Sequence, residues 1–184
     1  MANDEDIIIE RIKGGHGKEF GLLVKRYGPQ LMQFVGRIVG VQEDTEDVVQ
    51  NTFVAAFQHL KDYDPQRASL QTWLQRIAYH ETLYHLRKRK RQVVLPLHAD
   101  KDIPDDLPED TTAQQLDEAI QQLSPEEQTL LQLFYYDGRS LKEIAYITDT
   151  AGRATAREVS RLSSQLFRIR QRLRIILTHI RNHE

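Results

Sequence analysis

The sequence predicts an all-α protein: two small helical domains joined by an acidic, proline-containing linker, the C-terminal one a helix-turn-helix. Three observations carry this. Apolar residues recur at steps of three and four almost throughout, and no stretch alternates as a half-buried strand would. Val93 to Thr112 breaks that period, with Pro96, Pro104, Pro108 and six acids in one stretch. Paired helix-start signals then crowd the C-terminal part. A chain of 184 residues suffices for one ordinary domain or two small ones.

The N-terminal elements follow in order. A short helix is expected over Asp4 to Lys13, broken by Gly14-Gly15. Residues 17–39 put Phe20, Leu23, Val24, Tyr27, Leu31, Val35 and Ile38 on one face. Residues 45–60 put Val48, Val49, Thr52, Phe53, Ala56, Phe57 and Leu60 on another. Residues 69–91 bury Leu70, Trp73, Leu74 and Ile77, with Ser69 placed to cap them. Stripes of this kind pack helices into a bundle. In the next stretch prolines fix the backbone and remove donors while clustered acids repel, which reads as an extended linker. The expected domains are therefore 1–91 and 113–184, with 92–112 between them.

The C-terminal unit is punctuated more sharply. Ser124-Pro125-Glu126-Glu127 is a capping box with proline at the first helical position. Its helix carries Leu130, Leu131 and Phe134 and stops at Asp137-Gly138. Ser140-Leu141-Lys142-Glu143 opens a second helix with Ile144, Ala145 and Ile147. A long helix follows, with Val159, Leu162, Leu166, Ile169, Leu173, Ile176 and Ile180 in strict three-four alternation. Short helix, turn and arginine-studded helix outline a helix-turn-helix DNA reader. A coiled-coil seam has the same spacing, but the capped helices upstream give this stripe an intramolecular surface to pack on.

The net charge of −2 conceals segregation. Arg87-Lys88-Arg89-Lys90-Arg91 is an unbroken basic run. Gln92 to Glu127 holds ten acids against Lys101, whereas Arg139 to Arg181 holds ten basic residues against Glu143, Asp149 and Glu158. Such separation makes local polyanion-binding surfaces on a nearly neutral chain. On the long helix Arg157, Arg161, Ser164, Gln165 and Arg168 step around the side away from the apolar stripe, where cations can meet phosphates and polar groups base edges. In the N-terminal unit Tyr63, Tyr79 and Tyr84 interleave with Arg67, Arg76 and the basic run, a pattern suited to unpaired bases and their phosphates. Trp73, on the apolar stripe, belongs to the core.

Other chemistries find little footing, and neither an enzyme activity nor a cofactor is expected. With no cysteine, disulfides, thiolate metal sites and thiol nucleophiles are excluded. His80-Glu81 with His85 misses the zinc-protease pattern, because its histidines are five apart and leave one helix face. Gly14-Gly15-His16-Gly17 lacks the lysine and hydroxyl of a phosphate loop. Asp44, Glu46 and Asp47 complement a helix dipole more simply than they bind a cation. No metal site is expected. The acidic N-terminus with its short Ile7 to Ile9 run is no signal peptide, and no membrane span is visible. A soluble, cytoplasmic protein is expected.

Two groups of motifs resemble a known family. Asp44-Thr45-Glu46-Asp47-Val48-Val49-Gln50-Asn51-Thr52-Phe53, Tyr63-Asp64 and Leu70-Gln71-Thr72-Trp73-Leu74-Gln75-Arg76-Ile77-Ala78, then the basic run, are similar to the second region of extracytoplasmic-function (ECF) sigma factors of bacterial RNA polymerase. Leu123-Ser124-Pro125-Glu126-Glu127, Ser140 to Ala145 and Leu166 to Leu173 are similar to the fourth. The resemblance implies a protein that binds core RNA polymerase and directs promoter recognition, DNA melting and transcription initiation. It implies that Asp47, Gln50 and Asn51 dock on the clamp of the largest subunit. It implies that the loop from Asp62 to Ser69 captures a minus-ten base, and that Tyr63, Arg67, Arg76, Tyr79, Arg87, Lys88 and Arg89 hold nearby DNA. The helix-turn-helix would read the minus-thirty-five element with Arg157, Arg161, Ser163, Ser164, Gln165, Phe167 and Arg168, and sit near the polymerase flap. An anti-sigma factor is a further partner of such proteins. The sequence departs from the family in a longer turn, Thr148 to Glu158, at Ser163 and Gln165, where the family often has basic residues, and in Tyr79-His80, where the family often has Arg-Asn. Two alternatives remain open at this stage: a free-standing helix-turn-helix regulator, and a helical adaptor.

Overall fold

The computed structural model describes residues 4–90, 112–149 and 154–181, which form eight α-helices and no strand. Arg91, the linker before Thr112 and part of the long turn lie outside the described residues. Helices α1 (Asp4–Lys13), α2 (Phe20–Val39), α3 (Gln42–His59) and α4 (Leu70–Lys90) make the N-terminal unit. Helices α5 (Ala113–Gln121), α6 (Pro125–Leu131), α7 (Leu141–Thr148) and α8 (Ala156–Arg181) make the C-terminal one.

In the N-terminal unit α2, α3 and α4 pack mutually, with Phe34, Val35, Val48, Ala56, Leu70 and Leu74 at most 2% exposed between them. Gly40, at φ 74°, ends α2 by donating to the Gly36 carbonyl at 2.8 Å, a left-handed closure that costs glycine nothing. Helix α1 is tied across the bundle by polar contacts. The Tyr27 hydroxyl and Arg26 both bond Glu5, and Arg11 pairs with Glu19 at 2.6 Å.

The C-terminal unit is built from capping boxes. Ser124 with Glu127 opens α6 and Ser140 with Glu143 opens α7, as expected. Thr155 with Glu158 does the same for α8, which sets its start after the long turn. Helix α5 was not anticipated as an element, although Thr112 and Gln115 give it a fourth box. After α6 the chain widens into a π-helical turn over Gln132–Tyr136, and Gly138 at φ 60° reverses it. The middle of the α8 stripe is buried as read: Leu162, Leu166, Ile169 and Leu173 are at most 3% exposed, packed against α5, α6 and α7; at its ends Val159, Ile176 and Ile180 are only partly buried, and Leu177, not read as part of the stripe, is buried.

At the head of α7, burial alone would raise the Glu143 carboxyl. Hydrogen bonds from the Ser140 backbone and hydroxyl, and the Arg139 guanidinium, outweigh it and hold the group below 4.5. Removing the Ser140 hydroxyl should therefore destabilise the C-terminal unit by about 1 kcal/mol. Because the folded value is depressed, the Glu143 contribution is present above pH 4.5 and is lost as pH falls through the folded value. Thermal melts of wild type and Ser140→Ala should differ at neutral pH and converge in acid.

Candidate functional site

Three surfaces collect the residues that the sequence singles out. The first is the outer face of α3. Its first turn carries Glu43 and Asp44, and the Thr45 hydroxyl turns inward to the Val41 carbonyl at 2.7 Å. One helical step later Asp47, Gln50 and Asn51 all stand exposed. Beside them runs a groove of about 700 Å³ between α2 and α3, lined by Gly17, Phe20, Val24, Gln50, Phe53 and Phe57. Here the burial of two stripe residues needs correcting. Phe57 is 49% and Val24 37% exposed, because both line the open groove between α2 and α3. Phe57 packs edge-on to Phe20 at 5.1 Å and across Gly17, where a side chain would crowd its ring at 3.2 Å. An open apolar strip rimmed by polar groups is what a docking surface looks like.

The second surface is α8. Arg157, Arg161, Ser163, Ser164 and Arg168 are exposed and Gln165 is half-buried. Phe167 is 57% exposed beside them. Among the described residues no carboxylate pairs with Arg157, Arg161 or Arg168; Arg168 Nε donates to the Ser164 carbonyl at 3.3 Å. Farther along, Arg172 is held by Glu127 at 3.2 Å. The outward cations near the start of α8 are therefore available to an external anion.

The third surface, on α4 and the loop before it, departs most from expectation. Arg67 stands exposed on the Asp62 to Ser69 loop, where the Asp64 carboxylate accepts from the Gln66 amide at 2.9 Å. Tyr63 does not: it is 6% exposed, 5.4 Å from the Trp73 ring, and burial pushes its hydroxyl up to about 12. Tyr79 is also 6% exposed and pushed up to about 12, by burial first and then by Glu126. The cations are engaged within the chain. Arg89 pairs with Asp44, which also faces His85 at 3.5 Å. Arg87 approaches Glu126 at 3.5 Å but stays largely exposed, as does Lys88, which has no ion pair among the described residues.

Tyr63 and Arg89 are engaged within the N-terminal unit, on Trp73 and Asp44, whereas Arg76, Arg87 and Tyr79 meet groups of the C-terminal unit, because the two units touch. Helix α4 packs on α7, and both α2 and α4 meet α6. Arg76 Nε donates to the Asp149 carbonyl at 3.3 Å, and its guanidinium lies 5.6 Å from the centre of the Tyr146 ring. Gln75 donates to Asp137 at 3.4 Å; Arg37 on α2 approaches the same carboxylate at 3.6 Å and covers the Tyr136 ring at 5.4 Å. Arg37, Gln75 and Asp137 were not singled out from the sequence, since nothing in local periodicity marks a contact between distant segments. Asp137 is pushed above the ordinary carboxylate value by burial, against the pull of Gln132, Arg37 and Arg139. No group of His, Asp and Glu among the described residues is arranged to hold a metal. No described helix is long and apolar enough to cross a membrane.

Comparison with known proteins bears on this geometry. Residues 23–92 match the family model for Sigma-70 region 2, and residues 113–173 that for Sigma-70, region 4. RNA polymerase sigma factor NccH of Alcaligenes xylosoxydans xylosoxydans is 31% identical over 175 residues, covering 88% of this chain and 92% of its own. ECF RNA polymerase sigma factor SigW of Bacillus subtilis is 29% identical over 157 residues, covering 76% of this chain and 82% of its own. Among solved structures, sigma factor RpoE of Bartonella quintana, crystallised with the anti-sigma factor NepR, superimposes with a TM-score of 0.60 at 24% identity, covering 88% of this chain and 98% of that one.

His80 sits at the junction of the units. Burial first, then Arg76, holds its imidazole below 6.5, against an opposing hydrogen bond with the Asp149 backbone. The folded chain then binds fewer protons than the unfolded one, so stability falls as pH drops from 6.5 toward the folded value and levels off below it. Replacing His80 by Gln should flatten that part of the curve. Melting temperatures of the two proteins, followed across this window, should diverge, and parallel curves would remove His80 as the cause.

Proposed function

The chain belongs to the ECF sigma factors, and from that premise we propose that its two units divide promoter recognition between them. The N-terminal unit binds core RNA polymerase and meets the melted minus-ten element. The C-terminal helix-turn-helix meets the duplex minus-thirty-five element. What supports this most is the outer face of α8. Its buried stripe leaves Arg157, Arg161 and Arg168 outward, unopposed by acids among the described residues, on the second helix of a helix-turn-helix. Such cations position the duplex by its phosphates, while Ser163, Ser164 and Gln165 carry no charge and suit base edges. Phe167 supplies an apolar contact at the same level.

On the N-terminal side, Asp47, Gln50 and Asn51 with the neighbouring apolar groove form the polymerase-docking surface, facing the clamp of the largest subunit. Arg67, Arg76, Arg87, Lys88 and Arg89 are the minus-ten cations. Tyr63 and Tyr79 join them only through a rearrangement, given their burial. The linker, the 1–91 and 113–184 boundaries and the polymerase flap contact belong to the same reading. Catalysis is left to the polymerase: the chain supplies recognition in the cytoplasm and makes no bond itself. An anti-sigma factor is a natural further partner, as in the RpoE complex.

Reconstituted transcription with core polymerase and a pool of promoters tests the reading. Wild type should initiate from a defined subset, and its binding to core polymerase should need no DNA. Asp47→Ala should leave the melting temperature within experimental scatter while weakening core binding, since the residue is exposed on α3. Loss of folding would make Asp47 structural. Arg168→Ala should weaken promoter binding by about 1–3 kcal/mol if it reads a base, and Gln165→Ala should shift promoter preference. Unchanged transcription and preference in both would move the reading surface off α8.

A further inference from the structure

We propose that Asp44 is a positioning residue for the minus-ten strand: through Arg89 it holds the last turns of α4 so that Arg87 and Lys88 face the DNA. The inference rests on the reading of the basic run as DNA-facing and deepens it. It takes Arg89 out of the DNA contacts and gives it a partner inside the chain.

The run needs such a hold. Leu83 is the last side chain of α4 buried in the core, and Leu86 is packed on it only in part. Beyond them the helix continues to Lys90 through Arg87, Lys88 and Arg89. Like charges three and four residues apart on a helix repel, so the run by itself favours fraying over a fixed direction. Asp44 supplies the opposite charge. It stands in the first turn of α3, where Glu43 and, a little farther on, Glu46 and Asp47 are exposed. Asp44 instead turns toward α4. Its Oδ2 accepts from Arg89 Nη1 and lies 3.5 Å from His85 Nε2, a buried nitrogen with no hydrogen bond of its own.

The geometry shows what this contact does. The Arg89 and Asp44 side chains are 23% and 25% exposed, and an ion pair this near to water adds little to global stability. A charge-assisted hydrogen bond does add direction. His85 and Arg89 are four residues apart and share the face of α4 that meets α3. Arg87, two residues from each, is carried to the opposite side, with Lys88 on the flank, and both are exposed. Fixing Arg89 therefore fixes where the other two point. Asp44 also lies one helical turn before Asp47, so the hold ties the direction of the run to the helix read as docking on polymerase. Side chains that bind a ligand work best when contacts behind them lock their geometry.

A carboxylate beside a DNA-binding run can act in two ways, and they differ in sign. A carboxylate that only screens Arg89 from phosphate weakens DNA binding, so its removal strengthens it. A carboxylate that positions the run has the opposite effect: its removal weakens DNA binding although the chain becomes less negative.

The experiment uses the full chain bound to core polymerase. The probe is a labelled single-stranded oligonucleotide carrying the minus-ten element of a promoter that the chain transcribes. Asp44→Asn should weaken oligonucleotide binding about fivefold, within the range of coupling between neighbouring groups. Arg89→Ala should do the same from the other side of the pair, and the double variant should be no weaker than either single one. Core binding and melting temperature should stay at wild-type values in Asp44→Asn, while backbone amides of residues 85–90 exchange hydrogen faster. Tighter oligonucleotide binding in Asp44→Asn would overturn the proposal in favour of screening. Additive losses in the double variant would return Arg89 to the DNA and overturn it too. So would unchanged amide exchange, or a loss of core binding that matches the loss of DNA, since Asp44 would then belong to the docking face. The underlying assignment is checked apart from these by Arg87→Ala and Lys88→Ala, each of which should weaken oligonucleotide binding with amide exchange unchanged. Full binding in both would sink the DNA reading of the run, and faster exchange in Asp44→Asn would then still show the hold on α4.

Discussion

Helix α4 is covered on two sides, and the rest of the structure depends on it. One side is apolar. Leu70, Trp73, Leu74, Ala78 and Leu83 are each at most 5% exposed and close the N-terminal core against α2 and α3. The other side is polar. Gln75, Arg76, Tyr79 and His80 seat the C-terminal unit through α7 and the turn after α6. The two sides hold by different physics. Apolar area removed from water is gained without regard to direction and is recovered only by unfolding the bundle. The polar side adds directed contacts, Arg76 to the Asp149 carbonyl and Gln75 to Asp137, to the close packing of α4 on α7.

Most of the architecture could be read from local pattern. The boxes at Ser124 and Ser140 specify helix starts within one turn, because the reciprocal bonds need their partners three residues apart. Spacing alone was enough for the middle of the α8 stripe, though not for its C-terminal end, where Leu177 is buried and Ile176 only partly so. Exposure was less legible. Phe57 and Val24 share the period of buried neighbours, yet period alone does not say which positions line an open groove instead of the core. Helix α5 went unread because its short apolar pattern adjoins the acidic stretch, although the Thr112 and Gln115 signal was present.

The candidate site divides along the same line. The polar face of α3 and the cations of α8 are local properties of amphipathic helices, and both emerge exposed. Tyr63 and Tyr79 were read from composition as aromatics among cations. Composition does not distinguish a ring offered to a base from a ring packed against Trp73 or beneath a neighbouring unit. Arg37 and Asp137 are further still from local pattern, since their meaning exists only once the two units are in contact.

A helix that must meet nucleic acid cannot make that face apolar. Its cations have to remain, and a cation left against a dry surface is costly. Any cover for such a face is consequently restricted to groups that can stand in for phosphate and base: carboxylates, carbonyl ends of helices and aromatic rings. The C-terminal unit presents that set to α4, with Glu126 at the start of α6, Asp137 after the π-helical turn, and Tyr146 and the Asp149 carbonyl at the end of α7. The chemistry that suits α4 to DNA is thus the chemistry that lets another part of the same chain occupy it.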